Sequence, residues 1–115
     1  MVTKAYIPER GDIIWLNFNP IRGHEQGGKR PALVISRSVY NAKTSLAIIC
    51  PITSRAKGYD FEVALPTVSE IHGVVLSDHV RNLDWKARRA QFIVHAPEAI
   101  VSQVGELISI LAQGA

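Results

Sequence analysis

The sequence is poor in cysteine, since Cys50 is the only one among 115 residues. One cysteine cannot form an internal disulfide, and a structural zinc site normally needs several cysteine or histidine ligands. The four histidines, at positions 24, 72, 79 and 95, do not have the spacing of a metal motif. Cys50 lies in the apolar run 46–52, which favours a buried structural thiol over a nucleophile. The sequence therefore predicts no disulfide, no metal site and no cofactor.

Long hydrophobic runs are also lacking. No segment approaches the ~18 apolar residues of a membrane-spanning helix, and the first ten residues contain no apolar core of a signal peptide. We therefore expect a cytoplasmic protein without a membrane partner. The hydrophobic share of 47% is that of a folded protein, and residues 1–115 are expected to form a single domain. A formal net charge of +3 suits a polyanion or an acidic protein partner without proving either.

Short apolar segments separated by turn residues predict β-strands. The segment 45–52 is almost continuously apolar and should run through the middle of a sheet, whereas 61–65 alternates and should end at Pro66. Residues 37–44 are expected to form a helical turn or a loop. Further strands are predicted at 13–18, 31–36, 73–76, 79–83 and 91–94. This pattern favours a small antiparallel barrel over a fold that alternates strands with helices.

The C-terminal segment has a different pattern. From Pro97 onward, apolar residues recur at helical spacing and form one stripe, which consists of Ile100, Val101, Val104, Leu107, Ile108 and Leu111. Proline suits the first position of a helix, and Glu98 beside it suits the positive end of the helix dipole. We therefore expect a C-terminal helix that packs against the barrel.

The polar segment 23–31 concentrates ionisable side chains just before a predicted strand. Gly27 and Gly28 allow a sharp bend that could return the Glu25 carboxylate towards the Arg30 guanidinium. Such a loop can hold an acid, a base and a phosphate-binding group together. It can equally be a solvated connector with a surface ion pair worth less than ~1 kcal/mol. The residues alone leave both interpretations open.

An ordered series of motifs extends over nearly the whole chain. Gly11-Asp12-Ile13-Ile14-Trp15 is followed by the segments 23–26 (GHEQ), 30–34 (RPALV), 51–54 (PITS), 57–59 (KGY), 78–81 (DHVR) and 86–88 (KAR). In this order they resemble the MazF/PemK (Kid) family of toxin endoribonucleases. The resemblance implies a mainly β protein, a small SH3-like antiparallel barrel with a C-terminal α-helix, as in MazF, Kid and CcdB. It also implies a type II toxin that cleaves single-stranded RNA at a short sequence, without a metal ion and independently of the ribosome.

The resemblance implies that Arg30 and Thr53 are catalytic. Internal transesterification needs a group that accepts the 2′-hydroxyl proton, a group that protonates the leaving 5′-oxygen, and cationic donors for the phosphorane. A guanidinium can contact two phosphate oxygens at once, so Arg30 is expected to stabilise the transition state and is a candidate acid. Glu25 is expected to position Arg30 or to act as the base. Substrate contacts are predicted for His24, Lys29, Ser54, Lys57, Asp78, Arg81 and Lys86.

Two positions depart from the family pattern. Leu76 stands where the Kid branch has an arginine two residues before the aspartate that matches Asp78, and this favours the MazF branch. Asn19 stands where many relatives have aspartate, at a turn before Pro20.

Basic residues around Trp85 are spaced as in proteins that bind single-stranded nucleic acid. They are Arg55, Lys57, Arg81, Lys86, Arg88 and Arg89. The alternative is that Trp85 packs in the core and that Arg88 and Arg89 form a solvated surface.

The resemblance further implies a homodimer and a cognate MazE-like antitoxin with an acidic, disordered tail. Two other functions stay open at this stage: a CcdB-like toxin that acts on DNA gyrase, and a non-catalytic nucleic-acid-binding module. A protein that only binds does not need the combination of Glu25, Arg30 and Thr53, which favours the nuclease.

Overall fold

The computed structural model describes residues 5–19, 28–68 and 70–114. Within these ranges the chain forms seven strands and two helices. They are β1 (Asp12–Asn17), β2 (Lys29–Val34), α1 (Ser38–Thr44), β3 (Leu46–Thr53), β4 (Glu62–Val68), β5 (Ile71–Leu76), β6 (Arg81–Asp84), β7 (Gln91–His95) and α2 (Glu98–Gln113). Neither helix of this described part is both long and apolar enough to cross a membrane.

The strands form one curled antiparallel sheet in the order β4-β5-β3-β2-β1-β7, and β6 also pairs with β3. β3 lies at the centre. One edge of β3 pairs with β2, while the other pairs first with β6 along 46–49 and then with β5 along 52–53. The predicted central position of this apolar strand is confirmed, and so is the predicted mainly β barrel with a C-terminal helix.

Two cores lie on the two faces of the sheet. Because neighbouring strand residues point to opposite faces, Ile13 and Leu33 enter one core, while Ile14 and Ala32 enter the other. α2 covers the first core with Val101 and Val104, which are buried at the centre of the apolar stripe predicted from the sequence. The second core is closed mainly by aromatic and aliphatic side chains of the barrel, including Phe18, Leu83 and Trp85.

α2 begins at Glu98, so Pro97 precedes the first helical residue and does not occupy it. Arg10 ties this end of the helix to the start of β1, because its Nη1 and Nη2 donate hydrogen bonds to the two Glu98 carboxylate oxygens at 3.0 Å each. These hydrogen bonds hold the pKa of the exposed Glu98 carboxyl below its usual value.

β4 does not end at Pro66, as the sequence predicted, but continues to Val68. The pairing of β4 with β5 shifts register between the pairs Leu65–Gly73 and Val68–Ile71, and Pro66 lies at this irregularity. β4 is also the last strand at its end of the sheet. A proline without an N–H is tolerated at a bulge of an edge strand, since no ladder hydrogen bond depends on it.

Residues 38–44 form a regular helix, where the sequence left a helical turn or a loop open. Asn41 in this helix is fully buried. Its Nδ2 donates to the carbonyl oxygens of Pro8 at 2.8 Å and Ser36 at 3.1 Å, and its Oδ1 accepts from Ser36 Oγ at 2.6 Å. Its backbone oxygen accepts a 3.0 Å hydrogen bond from Nε1 of Trp85. This single residue therefore joins α1 to the chain before β1, to the end of β2 and to the second core.

Candidate active site

Arg30 and Thr53 lie at the same end of the β2–β3 strand pair. The register pairs Ala32 with Pro51, and Arg30 and Thr53 each lie two residues farther along their strands. Side chains two residues apart share a face, so Arg30 follows Ala32 and Thr53 follows Pro51 onto the face of the second core. The two residues implied as catalytic by the resemblance are thus placed on one face, at one end of the sheet.

Thr53 is held firmly by its neighbours and is only 7% exposed. Its Oγ1 accepts a 3.1 Å hydrogen bond from the backbone N–H of Arg55, which leaves the hydroxyl hydrogen available to a ligand. Gly73 of β5 packs directly on the backbone here, because a Cβ at this position would overlap the Thr53 carbonyl oxygen and come within 2.8 Å of the Ser54 Cα. Only glycine allows β5 to approach the backbone of Thr53 this closely, and this contact fixes the position of Thr53.

A second guanidinium reaches the same end of the barrel. Arg81 begins β6, and the carbon of its guanidinium lies 5.9 Å from the ring centroid of Phe18. Phe18 is buried, and its N–H donates a 2.8 Å hydrogen bond to the carbonyl of Gly28, two residues before Arg30. Arg30 and Arg81 are both half-buried. Cationic hydrogen-bond donors attract a phosphate group more strongly at partly desolvated positions, because water screens their charge less there.

The sequence did not point to Phe18. An apolar residue at the end of a strand resembles any other core residue, and its contact with Arg81 depends on two strands more than 60 residues apart in the chain. No local signal could have identified it.

The loop between β3 and β4 follows Thr53 directly and carries two of the predicted substrate contacts, Ser54 and Lys57, both exposed. The Glu62 carboxylate shapes this loop. It accepts hydrogen bonds from the backbone N–H of Lys57, 3.1 Å from each oxygen, and from that of Gly58 at 2.9 Å. Tyr59 in the same loop is 63% exposed, so an aromatic face is available beside these polar groups.

Asp78 lies in the exposed turn that follows β5, with its Oδ1 3.8 Å from Nε2 of His79. Its charge also acts on Cys50. Burial, and secondarily the charge of Asp78, raise the pKa of the Cys50 thiol to about 12. The interpretation of Cys50 as a buried structural thiol is confirmed.

Among the described residues, no group of three His, Cys, Asp or Glu side chains is arranged to hold a metal ion.

Lys29 and Lys86 lie elsewhere. The Lys29 side chain is on the face opposite Arg30, where its Nζ lies 5.6 Å from the ring centroid of Trp15. Lys86 is exposed in the turn after β6 and lines a groove of about 350 Å³ that also includes Tyr6. Trp85 is 7% exposed and belongs to the second core, which confirms the part of the alternative that concerns Trp85. It offers no free face for stacking a base.

His24 and Glu25 lie outside the described residues. Their predicted roles in substrate binding and in catalysis therefore stay predictions.

Comparison with known proteins identifies the family. Residues 9–112 match the family described as PemK-like, MazF-like toxin of type II toxin-antitoxin system. The endoribonuclease toxin MazF of Escherichia coli (strain K12) is 47% identical over 89 residues, which are 77% of this chain and 79% of that protein. The endoribonuclease PemK of Escherichia coli is 38% identical over 116 residues, covering 96% and 87% of the two chains.

Solved structures agree with the sequence match. The crystal structure of MazF (Form-I) from Deinococcus radiodurans has a TM-score of 0.89 and 51% identity, and the alignment covers 94% of this chain and 98% of that one. A chain of the crystal structure of MazE-MazF (Form-II) from the same organism has a TM-score of 0.85 and 45% identity, with coverage of 96% of this chain and 100% of that one. The chain belongs to the family of PemK-like, MazF-like toxins of type II toxin-antitoxin systems.

Proposed function

We propose that this protein is an endoribonuclease that cleaves single-stranded RNA at a short sequence by internal transesterification. The observation that carries the proposal is the placement of Arg30 and Thr53 on one face at the same end of the β2–β3 pair. The relatives named as endoribonucleases support it at identities of 38% and 47%. Sequence specificity would come from the loops around this end of the sheet.

In this reaction the 2′-oxygen attacks the adjacent phosphorus, and the bond from phosphorus to the 5′-oxygen breaks. The products are a 2′,3′-cyclic phosphate and a 5′-hydroxyl. Arg30 contacts two phosphate oxygens through its planar guanidinium, Arg81 adds a second positive charge, and the Thr53 hydroxyl donates to the phosphate. Glu25 accepts the 2′-hydroxyl proton or orients Arg30. The leaving 5′-oxygen takes a proton from Arg30, the candidate acid, which regains a proton from solvent.

Further contacts with the RNA are proposed for six residues, which are His24, Lys29, Ser54, Lys57, Asp78 and Lys86. The last four of these follow β3 in the chain and are exposed, which allows them to contact a long flexible ligand. His24 precedes the proposed base by one residue.

The proposed assembly is a homodimer of one domain per chain, inhibited by an antitoxin. Two similar solved structures from Deinococcus radiodurans are crystal structures of MazE-MazF, in Form-II and Form-III. An acidic, disordered tail is the expected inhibitory element, since the net charge of this chain is +3. With RNA as the substrate, the cytoplasm is the proposed site of action.

The test is cleavage of a long unstructured RNA by the purified protein in the presence of a chelator. We expect cuts at one short sequence, with cyclic phosphate and 5′-hydroxyl ends. Arg30→Ala should lower the rate by at least ~10²-fold, the usual cost of losing one preorganised donor to a transition state. Arg30→Lys should recover little of it, because an ammonium group cannot contact two oxygens with a planar fork. Thr53→Val replaces the hydroxyl with a methyl group and keeps the shape of the side chain, so it tests the proposed role of the Thr53 hydroxyl by itself.

The matched control is Lys43→Gln, which removes a positive charge from the exposed surface of α1. It should cleave at the wild-type rate. Full activity of folded Arg30→Ala would contradict the role of Arg30. Folded wild-type protein that binds RNA without cutting it would support the binding-module alternative, and a DNA-cleavage complex formed with gyrase would support the CcdB-like one.

A further inference from the structure

A second basic feature lies beside the Asn17 end of β1. A groove of about 400 Å³, here called the basic groove, is lined by three cations, three amides and Leu16. The cations are Lys29, Arg88 and Arg89, and the amides are Asn17, Asn19 and Gln91. No acidic side chain is among its lining residues within the described part of the chain.

Arg88 is preorganised in this groove. Its Nη1 donates hydrogen bonds to the carbonyl oxygens of Asn17 at 3.1 Å and Asn19 at 3.3 Å, so neutral backbone groups hold the guanidinium in place. Within the ranges that the structure describes, no carboxylate pairs with Arg88, and its Nε and Nη2 donate no hydrogen bond. A fixed guanidinium with free donors and an uncompensated charge is suited to an anion.

Arg89 occupies an unusual backbone conformation. Its φ is 55°, in the left-handed region that favours glycine, and it is exposed. This conformation closes the turn after β6, because the N–H of Arg89 donates to the Lys86 carbonyl at 3.2 Å and the N–H of Ala90 donates to the Trp85 carbonyl at 3.0 Å, as in a Schellman motif. In the described structure the Arg89 side chain itself makes neither an ion pair nor a hydrogen bond. The side chain instead lines the basic groove together with Arg88. The turn explains the backbone conformation, whereas the exposed guanidinium in the groove is available to an anion.

The basic groove adjoins the proposed active site through β2. Lys29 lines the groove, whereas Arg30, the next residue, points to the opposite face of the strand. Their Cα atoms are only ~3.8 Å apart. A strand of RNA whose reacting phosphate lies at Arg30 can therefore reach the groove by crossing the end of a single β-strand.

We propose that the basic groove binds phosphates of the RNA strand that flank the cleaved one. The inference rests on the proposed endoribonuclease activity and adds a binding site to it. Continuity with Arg30 favours RNA as the occupant over an acidic peptide. The three amides also favour it. The Asn17 and Asn19 side-chain oxygens accept backbone hydrogen bonds at 3.0 and 2.9 Å, which leaves their NH₂ groups as donors to base edges, and Gln91 adds a third amide.

Arg89→Gly is the informative variant, because it removes the charge and relieves the strained φ. Binding would be measured over a range of salt concentrations with a 2′-O-methyl oligonucleotide that carries the mapped cut sequence and cannot be cleaved. One lost phosphate contact should lower the slope of log affinity against log salt by about 0.7, which is about a fivefold loss of affinity at 0.1 M salt. The double variant Lys29→Gln/Arg89→Gly should lower the slope by about twice as much. Cleavage should show the change in KM more than in kcat.

Two controls separate this effect from others. Lys43→Gln removes one exposed charge that does not line the basic groove and should leave the slope unchanged. The urea midpoint of Arg89→Gly should equal or exceed that of the wild type, so weaker binding cannot be attributed to unfolding.

The outcomes distinguish this inference from the proposed function. Wild-type cleavage with an Arg89→Gly variant that binds RNA like Lys43→Gln would overturn the groove and leave the nuclease standing. The groove would also be overturned if Arg89→Gly weakened binding of an acidic antitoxin peptide but not of RNA. Absence of cleavage by folded wild-type protein would contradict the nuclease itself, whatever the variants do.

Discussion

Gly73→Ala is expected to damage both the fold and the proposed active site. Gly73 has a φ of +116°, and a Cβ there would overlap the carbonyl oxygen of Thr53 and approach the Ser54 Cα to 2.8 Å. The atoms in the way belong to backbone, which cannot rotate aside as a side chain can. Gly58 supplies the matched control, because its φ of +82° is also left-handed while a Cβ there would meet nothing within 4 Å.

The two variants separate conformational strain from steric overlap. A non-glycine residue in the left-handed region costs about 1–2 kcal/mol, which both variants incur. Overpacking of a well-packed site typically adds about 1–3 kcal/mol, which only Gly73→Ala incurs. The free energy of unfolding should therefore fall by about 2–5 kcal/mol in Gly73→Ala. This is a large share of the ~5–15 kcal/mol that stabilises a typical domain.

The assay is urea denaturation followed by the fluorescence of Trp15 and Trp85, combined with RNA cleavage under conditions where both variants are folded. With an m-value of about 1.5 kcal/mol/M, the midpoint of Gly73→Ala should lie roughly 1 M below that of Gly58→Ala. A displacement of Thr53 by ~1 Å should lower kcat by up to ~10²-fold. Equal midpoints and equal kcat values in the two variants would refute the argument that Gly73 positions Thr53.

Two further predictions concern buried polar groups. Asn41→Ala removes one buried hydrogen bond to Pro8 and two partly buried ones to Ser36. Each buried group left unsatisfied costs about 1–3 kcal/mol, so the free energy of unfolding should fall by about 3–5 kcal/mol. A loss below ~1 kcal/mol in urea denaturation would contradict this. In the folded state the pKa of Cys50 is about 12, above its ordinary value of 9.0, so the thiol holds its proton more tightly than in the unfolded chain. Its contribution to stability is therefore complete below pH 9 and declines as the pH rises towards 12. Between pH 8 and pH 10 the wild type should therefore lose about 1.4 kcal/mol more unfolding free energy than Cys50→Ala, and equal pH profiles would show that the thiol is not protected.

Elements with a strong local pattern could be predicted from the sequence. The apolar run of β3 indicated a strand buried on both faces, and the spacing of apolar residues indicated α2. Predictions were wrong or incomplete where the local structure depends on contacts with residues that are distant in the sequence. Pro66 is compatible with β4 only because the register shift with β5 leaves it without a ladder partner. α1 depends on the buried contacts of Asn41 with residues before β1 and after β2, which no local propensity contains.

The candidate site also has features that the sequence indicates and features that only the folded structure shows. Resemblance identified Arg30 and Thr53, but their placement at the same end depends on the register of two strands whose paired residues lie 15 to 19 positions apart in the chain. The contact of Arg81 with Phe18 and the left-handed φ of Arg89 are products of the folded chain, and the residue types alone do not indicate them.

The alternation of side chains in β2 links the core to the proposed chemistry. Lys29 and Arg30 are adjacent cations, yet one lies over Trp15 beside the basic groove and the other points to the face of Thr53. Which cation faces which side is set by the same register that sends Ala32 into one core and Leu33 into the other. A slip of one residue would exchange the two cations and also expose the wrong apolar residues. The packing of Ala32 and Leu33 therefore enforces the position of Arg30, and a core substitution that loosens this register should reduce cleavage before it unfolds the protein.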